Sequence, residues 1–98
     1  MLTSKQRSQL KALANGVDTI VHVGKGGITP ALIKQTDDAL TARELIKGKV
    51  QENSELTARE VGENLAAECG AETVQVIGSK FVLYRENKKL EKEKRIRI

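Results

Sequence analysis

Aromatic residues are nearly missing from this chain: Phe81 and Tyr84 stand alone, and there is no tryptophan. A ring-filled core is excluded, so Val, Ile, Leu and Ala must fill the interior. The same shortage weighs against reading nucleic-acid bases on an aromatic platform. A single cysteine, Cys69, excludes an intramolecular disulfide and argues against an oxidising compartment. The one histidine, His22, sits in an apolar stretch with no Cys or carboxylate at metal-ligand spacing. No Ser-His-Asp or Cys-His arrangement is visible, so neither an acid–base set nor a metal or cofactor site is expected. No apolar run approaches the roughly 20 residues needed to span a membrane. The opening "MLTSKQRSQLK" is too polar for a secretory signal. A cytoplasmic, non-enzymatic, monomeric protein with no membrane partner and no small-molecule substrate is expected.

What is present is one domain's length, 98 residues, with 17 Lys and Arg against 13 Asp and Glu and a net charge of +4. The excess is uneven. Arg85, Lys88, Lys89, Lys92, Lys94, Arg95 and Arg97 crowd the last stretch, against Glu86, Glu91 and Glu93. Such a cluster suits a polyanion and equally suits a solvated tail. Residues 1–86 read as the folded domain. Residues 87–98 read as a charged tail that frays or extends as a helix.

Helix starts are well marked. Thr3 with Gln6 and Thr57 with Glu60 form capping boxes, and Thr29-Pro30 puts a cap before a proline suited to the first helical position. Leu10, Leu13 and Ala14 predict the buried face of the first helix, and Asn15-Gly16 predicts a left-handed stop. Ile33, Thr36 and Leu40 line the second helix; Val61, Leu65 and Cys69 line the third. "DTIVHVG", "ELIKGKV", "ETVQVIG" and "FVLYRE" predict four strands, the last two joined as a hairpin at Gly78-Ser79-Lys80. The order is α-β-α-β-α-β-β. It implies an α/β fold with a mixed four-stranded sheet and helices packed on one face. Strand order is not legible.

The stretch "VHVGKGGITPALIK" carries the chemistry. Its glycines resemble a deviant phosphate-binding loop of ATPases, but Pro30 and Ala31 stand where lysine and a magnesium-binding hydroxyl are required. A purely structural turn needs fewer glycines than three. A Gly-x-x-Gly loop at a helix N-terminus aims free amides and the helix dipole at an anion, and glycine lets a sugar–phosphate backbone come close. Lys25 adds a charge at its tip. KH domains clamp single strands with loops of this kind.

"VGKGGIT", "ELIK" and "VQVIGSKFVLYR", in this order and over roughly residues 2 to 86, resemble the CRM domain of the YhbY family. The resemblance implies a fold similar to the C-terminal domain of translation initiation factor 3. It also implies RNA binding, with stand-alone bacterial members associated with precursors of the large (50S) ribosomal subunit. The family's RNA-contacting loop falls on Gly24, Lys25, Gly26 and Gly27. One position departs from the pattern: Gly48 replaces a branched apolar residue, which weakens the strand and suggests a bulge.

The expected partner is therefore ribosomal RNA or a large-subunit precursor particle, gripped mainly through its backbone. Thr29 joins the loop as a candidate RNA contact. Lys47 and Lys49 share a strand face and either extend the RNA path or keep the sheet soluble, with Gln75 joining them if the register allows. Lys80 and Arg85 flank the last strand and are further phosphate candidates. Tyr84 and Cys69 read as core. The alternative is an adaptor that docks on a ribosomal or translation protein.

Overall fold

The computed structural model describes residues 2–98. Helix α1 (Ser4–Ala14) leads to β1 (Thr19–Val23), α2 (Pro30–Arg43), β2 (Leu45–Val50), α3 (Ala58–Cys69), β3 (Glu72–Ile77) and β4 (Lys80–Tyr84). The expected element order is therefore present. Each helix begins at its threonine. Thr3 and Thr57 accept from the amides of Gln6 and Glu60 at 3.1 and 3.2 Å, and both partners bond back to the cap amide. Thr29 accepts from the Leu32 amide at 3.1 Å, with Pro30 following. Caps of this type each stabilise a helix by about 1 kcal/mol.

The strands lie in the order β1-β2-β4-β3. β1 runs parallel to β2, while β4 is antiparallel to both of its neighbours. α2 and α3 cover one face, where Leu32, Leu40, Val61 and Leu65 meet Val21, Val23, Ile46, Phe81 and Leu83. The expected layering thus holds for α2 and α3, and α1 departs from it. On the opposite face Leu10 and Ala14 pack on Leu45, Val74, Val82 and Tyr84. The cause is β4 itself: Phe81, Val82, Leu83 and Tyr84 are all buried. A central strand without a polar face needs cover on both sides.

Two details of α1 differ from the expected pattern. Leu13 is 48% exposed, because Leu10 and Ala14, four residues apart, already fill the contact with the sheet. The helix stop is not left-handed either. Asn15 keeps helical angles, φ −61° and ψ −28°, and the chain leaves through short-range bonds from the Gly16 amide to Leu13 and from Val17 to Ala14.

Gly48 is not itself the bulged residue. The β2–β4 register runs unbroken through Gly48 opposite Phe81. The β1–β2 register shifts beside it, where Thr19 pairs with Lys47 and Val21 with Gly48, so the extra residue is on β1. A second irregularity falls between Thr73 and Gln75. A Cβ at Gly48 would lie well inside the van der Waals envelope of the Phe81 ring, which rests on the bare backbone there. From the other side Gly62 of α3 approaches: a Cβ on it would stand 3.2 Å from the Phe81 Cβ. The one phenylalanine is held between two glycines on different elements.

The last stretch does not fray and is not helical. α2 ends at Glu44, whose φ of 63° turns the chain into β2 and whose side chain is fully buried. Its carboxylate accepts the amides of Asn87 at 2.7 Å and Ile96 at 2.6 Å. Arg95 pairs with Glu86 at 2.7 Å, and Ile96 and Ile98 pack on the α1-side cluster. Residues 86–98 thus fold back over Tyr84.

Two stability predictions follow from these contacts. Gly48→Ala should cost about 3 kcal/mol through overpacking. Combined with Phe81→Leu it should cost at least about 1 kcal/mol less than the sum of the single changes, in a denaturant-monitored double-mutant cycle. Glu44→Gln should cost about 1–2 kcal/mol, because an amide has only one acceptor oxygen for two backbone donors. Limited trypsin digestion should then cut among Lys88 to Arg97 well before the body.

Candidate nucleic-acid interface

The residues of interest gather at the end of the sheet where β1 and β2 finish and β4 begins. The Gln51 amide bonds to the Val23 carbonyl at 2.8 Å, and the Val50 amide to the Ser79 carbonyl at 2.8 Å. These bonds hold the segments after β1 and β2 and the β3–β4 turn side by side.

The loop is a hydrogen-bonded turn closed by the Gly27 amide on the Gly24 carbonyl at 3.1 Å. Its three glycines are not equivalent. Gly27 has φ +67°, the left-handed region that an L side chain enters only with strain, and a Cβ there would touch Leu56 at 3.7 Å. Gly24 and Gly26 do not have positive φ, and a Cβ on either would meet nothing within 4 Å. Folding therefore accounts for Gly27 and leaves the other two unexplained. Bare backbone there leaves the turn open to close approach from outside.

Among the described residues, the amides of Lys25, Gly26, Ile28 and Thr29 find no hydrogen-bond acceptor, and the Lys25 ammonium has no ion partner. Thr29 caps α2 with its oxygen lone pair and keeps its hydroxyl proton to donate. These free donors, the Lys25 charge and the positive end of α2 lie within one short segment, an electrostatic setting that favours an anion.

Lys47, Lys49 and Lys80 belong to the same sheet end, on the face that carries α1. Alternation settles this: Ile46, Gly48 and Val50 face α2 and α3, so Lys47 and Lys49 face away from them. Lys49 lies opposite Lys80, and Lys47 opposite Val82, which itself packs on the α1 side. None of these lysines makes an ion pair among the described residues. The sequence offers His22 neither a metal-ligand nor a catalytic role and gives no sign of an RNA contact. The side chain is exposed, on the same face and opposite Lys49. Its period-two place between Val21 and Val23 signals that exposure alone.

Arg85 does not join this group. At the far end of β4 its guanidinium donates to the Asp37 carboxylate at 2.5 Å, the Asp37 carbonyl at 3.0 Å, Thr41 Oγ1 at 2.7 Å and the Cys69 carbonyl at 2.8 Å. It ties α2 to the end of α3, with both terminal nitrogens already engaged. Near it, burial and then Asp37 push the Cys69 thiol above its ordinary pKa, which leaves it a protonated core group. Burial and Glu44 likewise raise the Tyr84 phenol.

Charge is segregated by layer. α2, α3 and the 51–56 loop carry Asp37, Asp38, Glu52, Glu55, Glu60, Glu63 and Glu68 against Lys34, Arg43 and Arg59. α1 carries Lys5, Arg7 and Lys11 and no acid. Among the described residues no His, Cys, Asp and Glu cluster could hold a metal ion, and no helix is long and apolar enough to cross a membrane.

Residues 2–85 match the CRS1 / YhbY (CRM) domain. The chain belongs to that family. A CRM-domain relative from Bacillus subtilis, "Probable RNA-binding protein YqeI", is 44% identical over 90% of this chain and 92% of its own. A Haemophilus influenzae relative named "RNA-binding protein" is 36% identical over 86% of this chain and 85% of its own. The solution structure of the hypothetical protein SAV1595 from Staphylococcus aureus superposes with a TM-score of 0.77 at 47% identity, covering 93% of this chain and 95% of that one. The CRM match thus spans every helix and strand and stops before the folded-back 86–98 segment.

The two classes of loop glycine separate in a stability measurement. Gly24→Ala and Gly26→Ala should leave the unfolding free energy read from urea titration unchanged or raise it by up to about 1 kcal/mol. Gly27→Ala should lower stability by about 1–2 kcal/mol.

Proposed function

We propose that this CRM-domain protein binds RNA without catalysing a reaction on it, gripping the backbone with the Gly24–Gly27 loop. The observation that carries the reading is the pair Gly24 and Gly26, whose missing side chains serve neither conformation nor packing. A phosphate reaching the turn would meet unpaired amides, the Lys25 ammonium, the Thr29 hydroxyl and the N-terminus of α2 together. Lys47, Lys49 and Lys80 add attraction through counterion release. The relatives named as RNA-binding proteins support the ligand class.

The finer reading is that the RNA is ribosomal and the working context is assembly of the large subunit, in the cytoplasm, by a monomer. It rests on the family's association with precursors of that subunit. Recognition by shape and backbone suits a chain whose only aromatics, Phe81 and Tyr84, are both buried. Arg85 has no part in this proposal.

Lys25→Ala combined with Gly26→Asp should weaken binding to ribosomal RNA tenfold or more in a filter assay across a salt series, with the circular dichroism spectrum unchanged. Unaltered affinity in the folded variant would remove the clamp. A pull-down from lysate with and without RNase separates the two readings. Loss of partners after RNase fits RNA binding, and partners that persist point to a protein adaptor.

A further inference from the structure

The two outermost rows of side chains on the α1 face form a site distinct from the loop. Register gives the last row as His22 on β1, Lys49 on β2, Lys80 on β4 and Ile77 on β3. The row behind it is Thr19, Lys47, Val82 and Gln75. α1 covers the sheet only as far as this second row, because it ends at Ala14. Neither row contains an acid.

Lys49 directly opposite Lys80, with a histidine opposite Lys49 on the other side, is an arrangement a sheet tolerates at a loss. The neighbouring strands lie about 4.8 Å apart, so these groups are close. A solubilising surface would intersperse charges of both signs, as the outer faces of α2 and α3 do with Lys34–Asp38 and Arg59–Glu63. Facing lysines with no acid in either row suit an anion lying across the strands, and His22 beside them stands two residues before the Gly24 turn.

Between the rows lies a shallow hollow of about 120 Å³ lined by Ala14, Asn15, Lys47, Gln75, Ile77, Lys80 and Val82. It holds about four waters' share of liquid volume, the scale of one heterocycle. Its floor and wall are apolar at Ala14, Val82 and Ile77, and Ile77 is 62% exposed. The side-chain amides of Asn15 and Gln75 have no hydrogen-bond partner among the described residues, so they remain able to donate to and accept from a base edge.

We propose that this face is a second RNA subsite that takes one unpaired nucleotide. Its backbone crosses the His22–Lys49–Lys80 row, and its base enters the hollow against Ile77 with Gln75 at its edge. The proposal deepens the RNA-binding reading and rests on it. The loop then holds the strand on one side of β1, and the hollow selects for an unpaired base, because a base stacked in a duplex cannot enter.

The test uses the full chain with two fluorescent probes, a 12-nucleotide single-stranded RNA and a blunt RNA hairpin duplex, read by anisotropy over a salt series. For Lys49→Gln with Lys80→Gln, single-strand affinity should fall at least tenfold. The slope of log affinity against log salt should flatten by about 1.4, at about 0.7 per lost phosphate contact on a single strand. Gln75→Ala should reduce single-strand affinity about fivefold and leave the slope alone. Duplex binding should change less than threefold in both. Both variants should melt at or above the parent temperature, since they relieve or leave untouched the like-charge pair. Parent-like single-strand binding by the lysine variant overturns the subsite while the loop reading stands. Equal losses on duplex and single strand overturn the unpaired-nucleotide assignment. If the parent chain binds neither probe, the RNA-binding reading falls with it.

Discussion

Everything in this fold is arranged around the way Phe81 is seated. Its ring lies on the backbone of Gly48 in the neighbouring strand, and Gly62 lets α3 descend onto its Cβ. A large side chain in a small domain needs complementary space, and here two glycines on separate elements supply it. The contact sets the distance from α3 to the sheet and the register of β2 on β4. Through β2 it sets the parallel partner β1, whose end carries the Gly24 turn. A glycine in a central strand ordinarily weakens it; under a ring it becomes the point where three elements meet.

The second organising feature is electrical. Acids concentrate on the α2–α3 layer and the 51–56 loop, while α1 and the two outermost rows of the sheet on its face carry cations and no acid. With a net charge of only +4, the molecule as a whole is a weak attractor of polyanions. Segregation makes it an oriented one: a polyanion is repelled from the helical back and drawn to the sheet end. Composition alone understates such a protein, because the sum of charges conceals the dipole.

Local signals carried most of the fold. Threonine caps, alternating strand residues and the glycine turn obey rules written over three or four positions, so helix starts, strand faces and the hairpin were legible. What escaped was decided by partners far away in sequence. The buried carboxylate of Glu44 looks like any helix-end acid until the amides of Asn87 and Ile96 arrive. Arg85 looks like Lys80, a cation at a strand end, yet α2 and α3 close around one and leave the other open. The placement of α1 was written in the sequence as "FVLY", four buried residues in a row, but that run admits a core reading without saying which helix supplies the second layer. Within the site, the loop residues were legible from glycine spacing. His22 and Gln75 needed the cross-strand register to acquire neighbours.

The folding back of residues 86–98 has an architectural consequence. Leu2 and Ile98, the first and last described residues, both pack on the α1-side cluster and line the same hollow beside Tyr84. That end of the molecule is opposite the Gly24 turn. A domain whose two ends emerge together, away from its working surface, behaves as a plug-in unit. It can be strung in series or inserted into a host loop without shading the Gly24 turn or the lysine rows. In such an array each copy would present its turn outward, with the spacing between turns set by the linkers alone.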